Sequence, residues 1–159
     1  MIQGKLFSYG DDLSEIYNIR RKVFIEELAV PEDIEFDDLD NEAIHVLVYE
    51  EASNINSNDM TKKKIPVATG RIVYEGDSCK IDHIAVLNNY RNLKYGDFTV
   101  KMLINRAFTA GISTVTLTAK KEIEGFFKKI GFEAINYNLN YNTVDMIIKE
   151  YNVKRLCGR

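Results

Sequence analysis

Cysteine is scarce in this chain. Cys79 and Cys157 lie far apart and outside any metal-ligand spacing, so they read as two reduced thiols in a cytoplasmic protein. No apolar run approaches the roughly 20 residues that a membrane span needs. The opening "MIQGKLFSYGDD" lacks the basic-then-apolar layout of a signal peptide. Positive charge is also in deficit: 21 Lys and Arg stand against 24 Asp and Glu, for a net charge of -3. That balance argues against a protein built to coat nucleic acid. Three catalytic signatures are missing as well, namely a Walker loop, a His-Glu-x-x-His helix and a Gly-x-Ser-x-Gly nucleophile turn. Cys79 and His83 share a strand face, but four residues of strand separate them by about 13 Å, too far for a thiolate–imidazole pair.

What is present is ordinary globular material. The 159 residues are 45% hydrophobic and 28% charged, enough for one domain with a substantial core. We expect a single domain over 1–159, with no internal repeat and no dividing linker. "IQGKLFSY" alternates in polarity and reads as a strand. Residues 11–28 read as a helix, with Leu13, Ile16, Tyr17, Val23, Phe24 and Leu28 at helical spacing and Asp12 with Glu15 as a capping box. An acidic, irregular stretch with a short helical turn follows. Strands are expected at 45–50, 65–75 and 79–87, the last two joined by a hairpin-like connection at 75–78, and a polar loop at 52–64. A helix is expected over 97–110 with Gly111 as its cap, then a β-branched strand at 113–119. A second amphipathic helix over 121–131 carries Ile123, Phe126, Phe127 and Ile130 on one face and Gly131 as cap, and two strands close the chain. The order is β-α-α-β-β-β-α-β-α-β-β, an α/β domain with a mixed sheet.

The stretch "HIAVLNNYRNLKYGDF" puts Arg91, Lys94 and Gly96 where a strand hands over to a helix. A helix N-terminus exposes unpaired N–H groups and about half a positive charge, so it attracts anions. Arg91 can add a bidentate grip on a phosphate, Lys94 a second charge, and Gly96 room for close backbone approach. A bare strand–helix loop with solvated cations is the alternative at this point.

Context favours the phosphate. The run "IAVLNNYRNLKYGDF", followed by "VTLTA" and "FFKKIGF", resembles the GCN5-related N-acetyltransferase (GNAT) family. Upstream, "IRRKVFIEELAVPEDIEFDDLDNEAIHVLVY" is similar to the helix, acidic loop and His-containing strand of one bacterial branch of that family. The resemblance implies a mostly antiparallel central sheet flanked by helices, and a loop that binds the pyrophosphate of acetyl-coenzyme A. The matching loop residues are Arg91, Asn92, Leu93, Lys94, Tyr95, Gly96 and Asp97. It also implies that Ile84 and Ala85 line the acyl and pantetheine path, that the Val86 N–H polarises the thioester carbonyl, and that Phe126, Phe127 and Lys129 lie along the cofactor. Two departures stand out, one in the loop and one in the catalytic acid. Lys94 occupies the usual first loop glycine, and Asp97 brings a carboxylate to the helix start. Phe127 replaces the tyrosine that commonly protonates the departing thiolate.

Acetyl transfer to an amine needs a base, because an ammonium has no free electron pair. Asp82 and His83 are the candidates next to the strand core, on opposite faces by period-two alternation, and His45 is a third. The nine acidic residues between Glu26 and Glu42, with no Lys or Arg among them, offer a field for a cationic acceptor; a solvated acidic loop is the bland alternative. The expectation is a metal-free N-acetyltransferase using acetyl-coenzyme A, acting on a small-molecule or protein amine, as a monomer or homodimer without nucleic acid or membrane. Its rival is a non-catalytic acyl-coenzyme A-binding module of the same fold.

Overall fold

The computed structural model of this chain describes residues 1–53 and 62–150. Strand β1 covers Ile2–Phe7, helix α1 Ser14–Arg20, and the short α2 Glu32–Glu35. Strands β2, β3 and β4 cover Ile44–Ser53, Lys62–Glu75 and Ser78–Val86. Helix α3 (Tyr95–Thr109), β5 (Thr114–Lys120), α4 (Glu124–Ile130), β6 (Glu133–Asn138) and β7 (Thr143–Lys149) complete the order. The seven strands form one mixed, mostly antiparallel sheet in the order β1-β2-β3-β4-β5-β7-β6, with β4 and β5 parallel. The fold class expected from the sequence is therefore the one observed.

Packing groups the described residues into two compact units. The first holds Met1–Arg71 with His83–Met102 and the second Ile72–Asp82 with the residues from Leu103 onward. In the first unit, Ile16, Ile19 and Val23 of the first helix are buried with Leu47 and Ala85, and Leu13, Tyr17 and Phe24 pack against them. Five residues of the predicted apolar stripe are here; Leu28, the sixth, is exposed beyond the π-helical stretch, and Ile19, which the spacing did not pick out, is buried in its stead. In the second unit, Val115, Leu117, Val144, Met146 and Ile148 alternate with more exposed residues along β5 and β7, as period two requires.

Several local details differ from expectation. The first helix widens after Arg20 into a π-helical stretch, Arg21–Glu27, in which the Leu28 N–H reaches back five residues to the Val23 carbonyl at 3.1 Å. Its capping box does not form. Asp12 accepts the Ser14 N–H only two residues on, at 3.0 Å, and Glu15 accepts the Tyr49 hydroxyl at 3.3 Å. Strand β3 starts at Lys62, where three exposed lysines gave no polarity signal. Residues 54–61 of the expected polar loop, and Cys157, lie outside the described residues. Helix α3 begins two residues earlier than predicted.

Both predicted glycine caps are present. Gly111 has φ +89° and Gly131 φ +124°, and the Phe132 N–H closes back on the Phe127 carbonyl at 3.1 Å. The apolar face of α4 is narrower than predicted. Residues 121–123 form a 3₁₀ turn outside the α-helical phase, which leaves Ile123 exposed, while Phe127 and Ile130 are buried.

Candidate functional site

Strand β4 carries Asp82, His83, Ile84, Ala85 and Val86 of the predicted site, and its registered ladder with β5 stops early. The parallel ladder with β5 has three registered pairs, Ser78 with Thr114, Cys79 with Val115 and Lys80 with Thr116. β4 then runs on to Val86 and β5 to Lys120 with no further register between them among the described residues. Beyond the registered β5 pairs, His83 adopts φ +50°. A left-handed residue inside a strand rotates its side chain out of the alternation, so period-two spacing does not fix the faces of Asp82 and His83. The His83 Nε2 lies 3.4 Å from Glu35 Oε2, and its ring meets Phe24 edge-on at 5.9 Å.

After Val86 the chain turns through a 3₁₀ segment, Asn88–Tyr90, into the predicted anion loop. Asn92 and Lys94 both take positive φ, +62° and +69°. Lys94 thus follows the path a glycine would follow, strained but not displaced. Tyr95 is buried and meets Tyr90 edge-on at 5.9 Å, anchoring the start of α3. Gly96 lies in the first turn of α3 rather than in the loop. Asp97 pairs with Lys101 one turn further on at 2.8 Å, which turns its carboxylate along the helix.

Arg91 is already engaged. Its Nε donates to the Val86 carbonyl at 3.0 Å, while its two terminal nitrogens donate to Glu27 at 2.6 and 2.5 Å. This fork-on-fork pair holds the Glu27 carboxyl below its usual range. Sequence reasoning assigned the guanidinium to phosphate and did not find Glu27, which is 64 residues away in the chain.

His83, Ile84, Ala85, Val86 and residues 91–97 come together in the first unit. Asp82, Phe126, Phe127 and Lys129 belong to the second. There Phe127 is buried, with Phe126 and Phe132 edge-on at 5.0 and 5.8 Å, so a ring cluster fills the position of the usual tyrosine. Phe126 and Lys129 are exposed. Cys79 is fully buried and burial pushes its thiol up to about 11, which leaves it inert.

The acidic segment is neutralised more than its sequence suggested. Arg20 Nε donates to Glu35 Oε1 at 2.8 Å and its Nη1 to Asp40 Oδ1 at 2.7 Å, with both carboxylates buried. Arg71 reaches Asp37 at 2.6 Å and Asp40 at 3.0 Å. Arg21 pairs with Glu32 at 2.7 Å. These arginines lie outside the acidic interval, which is why the interval read as uncompensated. One signal was available: Arg20 sits on the Ile16, Ile19, Val23 stripe, where a cation requires a buried partner. His45 is fully buried, with its Nε2 3.0 Å from the Asp40 carbonyl, and burial holds its pKa below the usual value. Glu32, Asp33, Asp37 and Asp40, with Tyr17, Phe36 and Arg21, line an open cavity of about 670 Å³.

Residues 13–132 match the model of the acetyltransferase (GNAT) family. The chain belongs to this family. It is 29% identical over 126 residues to the uncharacterized N-acetyltransferase YjcF of Bacillus subtilis (strain 168), covering 79% of this chain and 81% of YjcF. Its fold is similar to that of Escherichia coli ElaA, with a TM-score of 0.72 at 22% identity, covering 94% of this chain and 100% of ElaA. An acyl-CoA N-acyltransferase from Pseudomonas aeruginosa matches with a TM-score of 0.72 at 18% identity, over 92% of this chain and 99% of that one. At these identities the two solved structures speak for the GNAT fold of this chain.

Proposed function

We propose that this GNAT-family chain transfers an acyl group, most simply acetyl, from acyl-coenzyme A to a primary amine by direct attack on the thioester. The observation that carries the reading is that the registered β4–β5 pairs end at Lys80 while β4 itself runs on through Ile84 and Ala85 to Val86, directly ahead of the anion loop. An open strand edge offers alternating N–H and C=O groups to an extended ligand with amides of its own, as pantetheine has. The 15-residue helix that follows presents an N-terminus whose acidic residue, Asp97, is turned toward Lys101. Strained backbone at His83 and Lys94 brackets this stretch, and such strain clusters at functional sites.

In this reading the N-terminus of α3 and loop residues 91–97 hold the diphosphate, and Ile84 and Ala85 line the path of the acyl arm. The Val86 N–H polarises the carbonyl. Phe126, Phe127 and Lys129 flank the cofactor. The amine nitrogen forms a bond to the carbonyl carbon, the carbon–sulfur bond breaks, and the ammonium proton passes to the base at Asp82 or His83. A histidine suits that task near neutral pH better than an unperturbed aspartate. Phe127 has no proton to give, so either another group or water protonates the thiolate or it leaves unassisted; a thiol pKa of about 8.5 permits the last. A cationic acceptor remains part of the reading, but Glu32, Asp37 and Asp40 of the cavity are already paired with arginines, so the cavity does not by itself argue for one.

Isothermal titration with acetyl-coenzyme A, followed by a thiol-release assay over a panel of amines, tests the reading. Binding with thiol release above background for a cationic amine is the expected result. Binding without release for any amine would favour the non-catalytic module, a reading that the buried, hydroxyl-free Phe127 also fits. Absence of binding would defeat both.

A further inference from the structure

We infer that Glu27 sets the affinity of the anion loop by competing with the diphosphate for Arg91. The inference rests on the reading that this loop binds acyl-coenzyme A. Arg91 has five N–H donors in a fixed fork. One is spent on the Val86 carbonyl and the two-pronged end is spent on Glu27. A diphosphate arriving at the start of α3 meets a guanidinium whose charge already has a carboxylate partner.

Glu27 has reason to hold on. It is the last residue of the π-helical stretch, and no basic residue lies in that last turn. A carboxylate at a helix C-terminus faces the negative end of the dipole, so it depends on an outside cation. Both partners are about one-third exposed, 38% for Arg91 and 35% for Glu27, which places the pair within reach of an incoming anion. The contact therefore acts as an internal counter-ion that the cofactor must share or displace. It also ties the first helix to the loop, so that occupancy of the loop changes what holds the end of that helix.

The test is titration of coenzyme A into the wild type, Glu27→Gln, Arg91→Ala and the double variant, at low salt. Glu27→Gln is expected to bind about two- to tenfold more tightly, the range for removing an exposed but bidentate competing charge. The gain should vanish when Arg91 is already alanine. Glu27→Ala serves as a second variant and should shift the affinity in the same direction. Unchanged affinity in both Glu27 variants would overturn the inference. So would weakening equal to that of Arg91→Ala, since Glu27 would then be orienting the arginine for the ligand. Absence of binding by all of the variants would overturn the acyl-coenzyme A reading itself, an outcome distinct from binding that ignores Glu27.

Discussion

Lys94 carries a backbone cost at the centre of the candidate site. At φ +69° its Cβ crowds the following carbonyl, a penalty on the order of 1 kcal/mol for a residue other than glycine or asparagine. Lys94→Gly removes that crowding but adds freedom to the unfolded chain, an opposing term of about 0.5–1 kcal/mol. The expected net effect is a stability between unchanged and about 0.5 kcal/mol higher, read from the urea midpoint. A loss greater than about 1 kcal/mol would mean that the lysine side chain makes a contact that outweighs the strain. Asn92, at φ +62°, is of a type that tolerates this region and should gain nothing from glycine. At this scale the sequence was a fair guide to which residues matter and a poor guide to their partners. Arg91 and Lys94 were legible as unusual residues in a strand-to-helix turn. Glu27 was not, because a pairing across 64 residues leaves no local periodicity.

Elements were legible where one face is buried and the other is wet. The spacing of Leu13, Ile16, Tyr17, Val23 and Phe24 announced the first helix, and Gly111 and Gly131 announced the ends of α3 and α4. The acidic segment from Glu32 to Asn41 is different, since few of its residues can contribute apolar burial. It is held instead by Arg20 and Arg71, each 1% exposed, against Glu35, Asp37 and Asp40. Sequence alone saw the carboxylates as a field because the compensating guanidiniums come from the first helix and β3. Arg20→Ala would leave the buried Glu35 and Asp40 carboxylates short of a partner, and breaking a buried pair from one side costs about 3–5 kcal/mol. Denaturant unfolding should show a loss of that size. A loss below about 1 kcal/mol would mean that water or Arg71 takes over the solvation of both carboxylates. The early end of the β4–β5 ladder was equally hidden. The β-branched and apolar run of each strand continues past it, and only the register shows where pairing stops.

For the chain as a whole, the buried histidine and the arginine-held carboxylates set the response to acid in two separate ranges. His45 is kept neutral, chiefly by burial, with the Arg20 and Arg71 cations adding to that effect and the Asp40 carbonyl and carboxylate opposing it. Its folded pKa lies below the ordinary 6.5, so below that value the unfolded chain binds a proton that the folded chain refuses. Stability from this source is complete above about pH 6.5 and falls as the pH drops toward the folded value. Asp37 behaves as a carboxylate held down, first by its hydrogen bond to Arg71 and less by that cation's field and by His83. Its contribution is complete above the ordinary 3.8 and is lost only as the pH falls below it. The melting temperature should therefore begin a gentle decline as the pH falls below about 6.5, and a second, separate decline once it falls below about 3.8. His45→Gln should flatten the first decline while leaving the second in place. Should that variant fold poorly, an NMR titration of the His45 ring in the wild type decides the matter, since an imidazole that protonates at pH 6.5 or above cannot be the source of the upper decline.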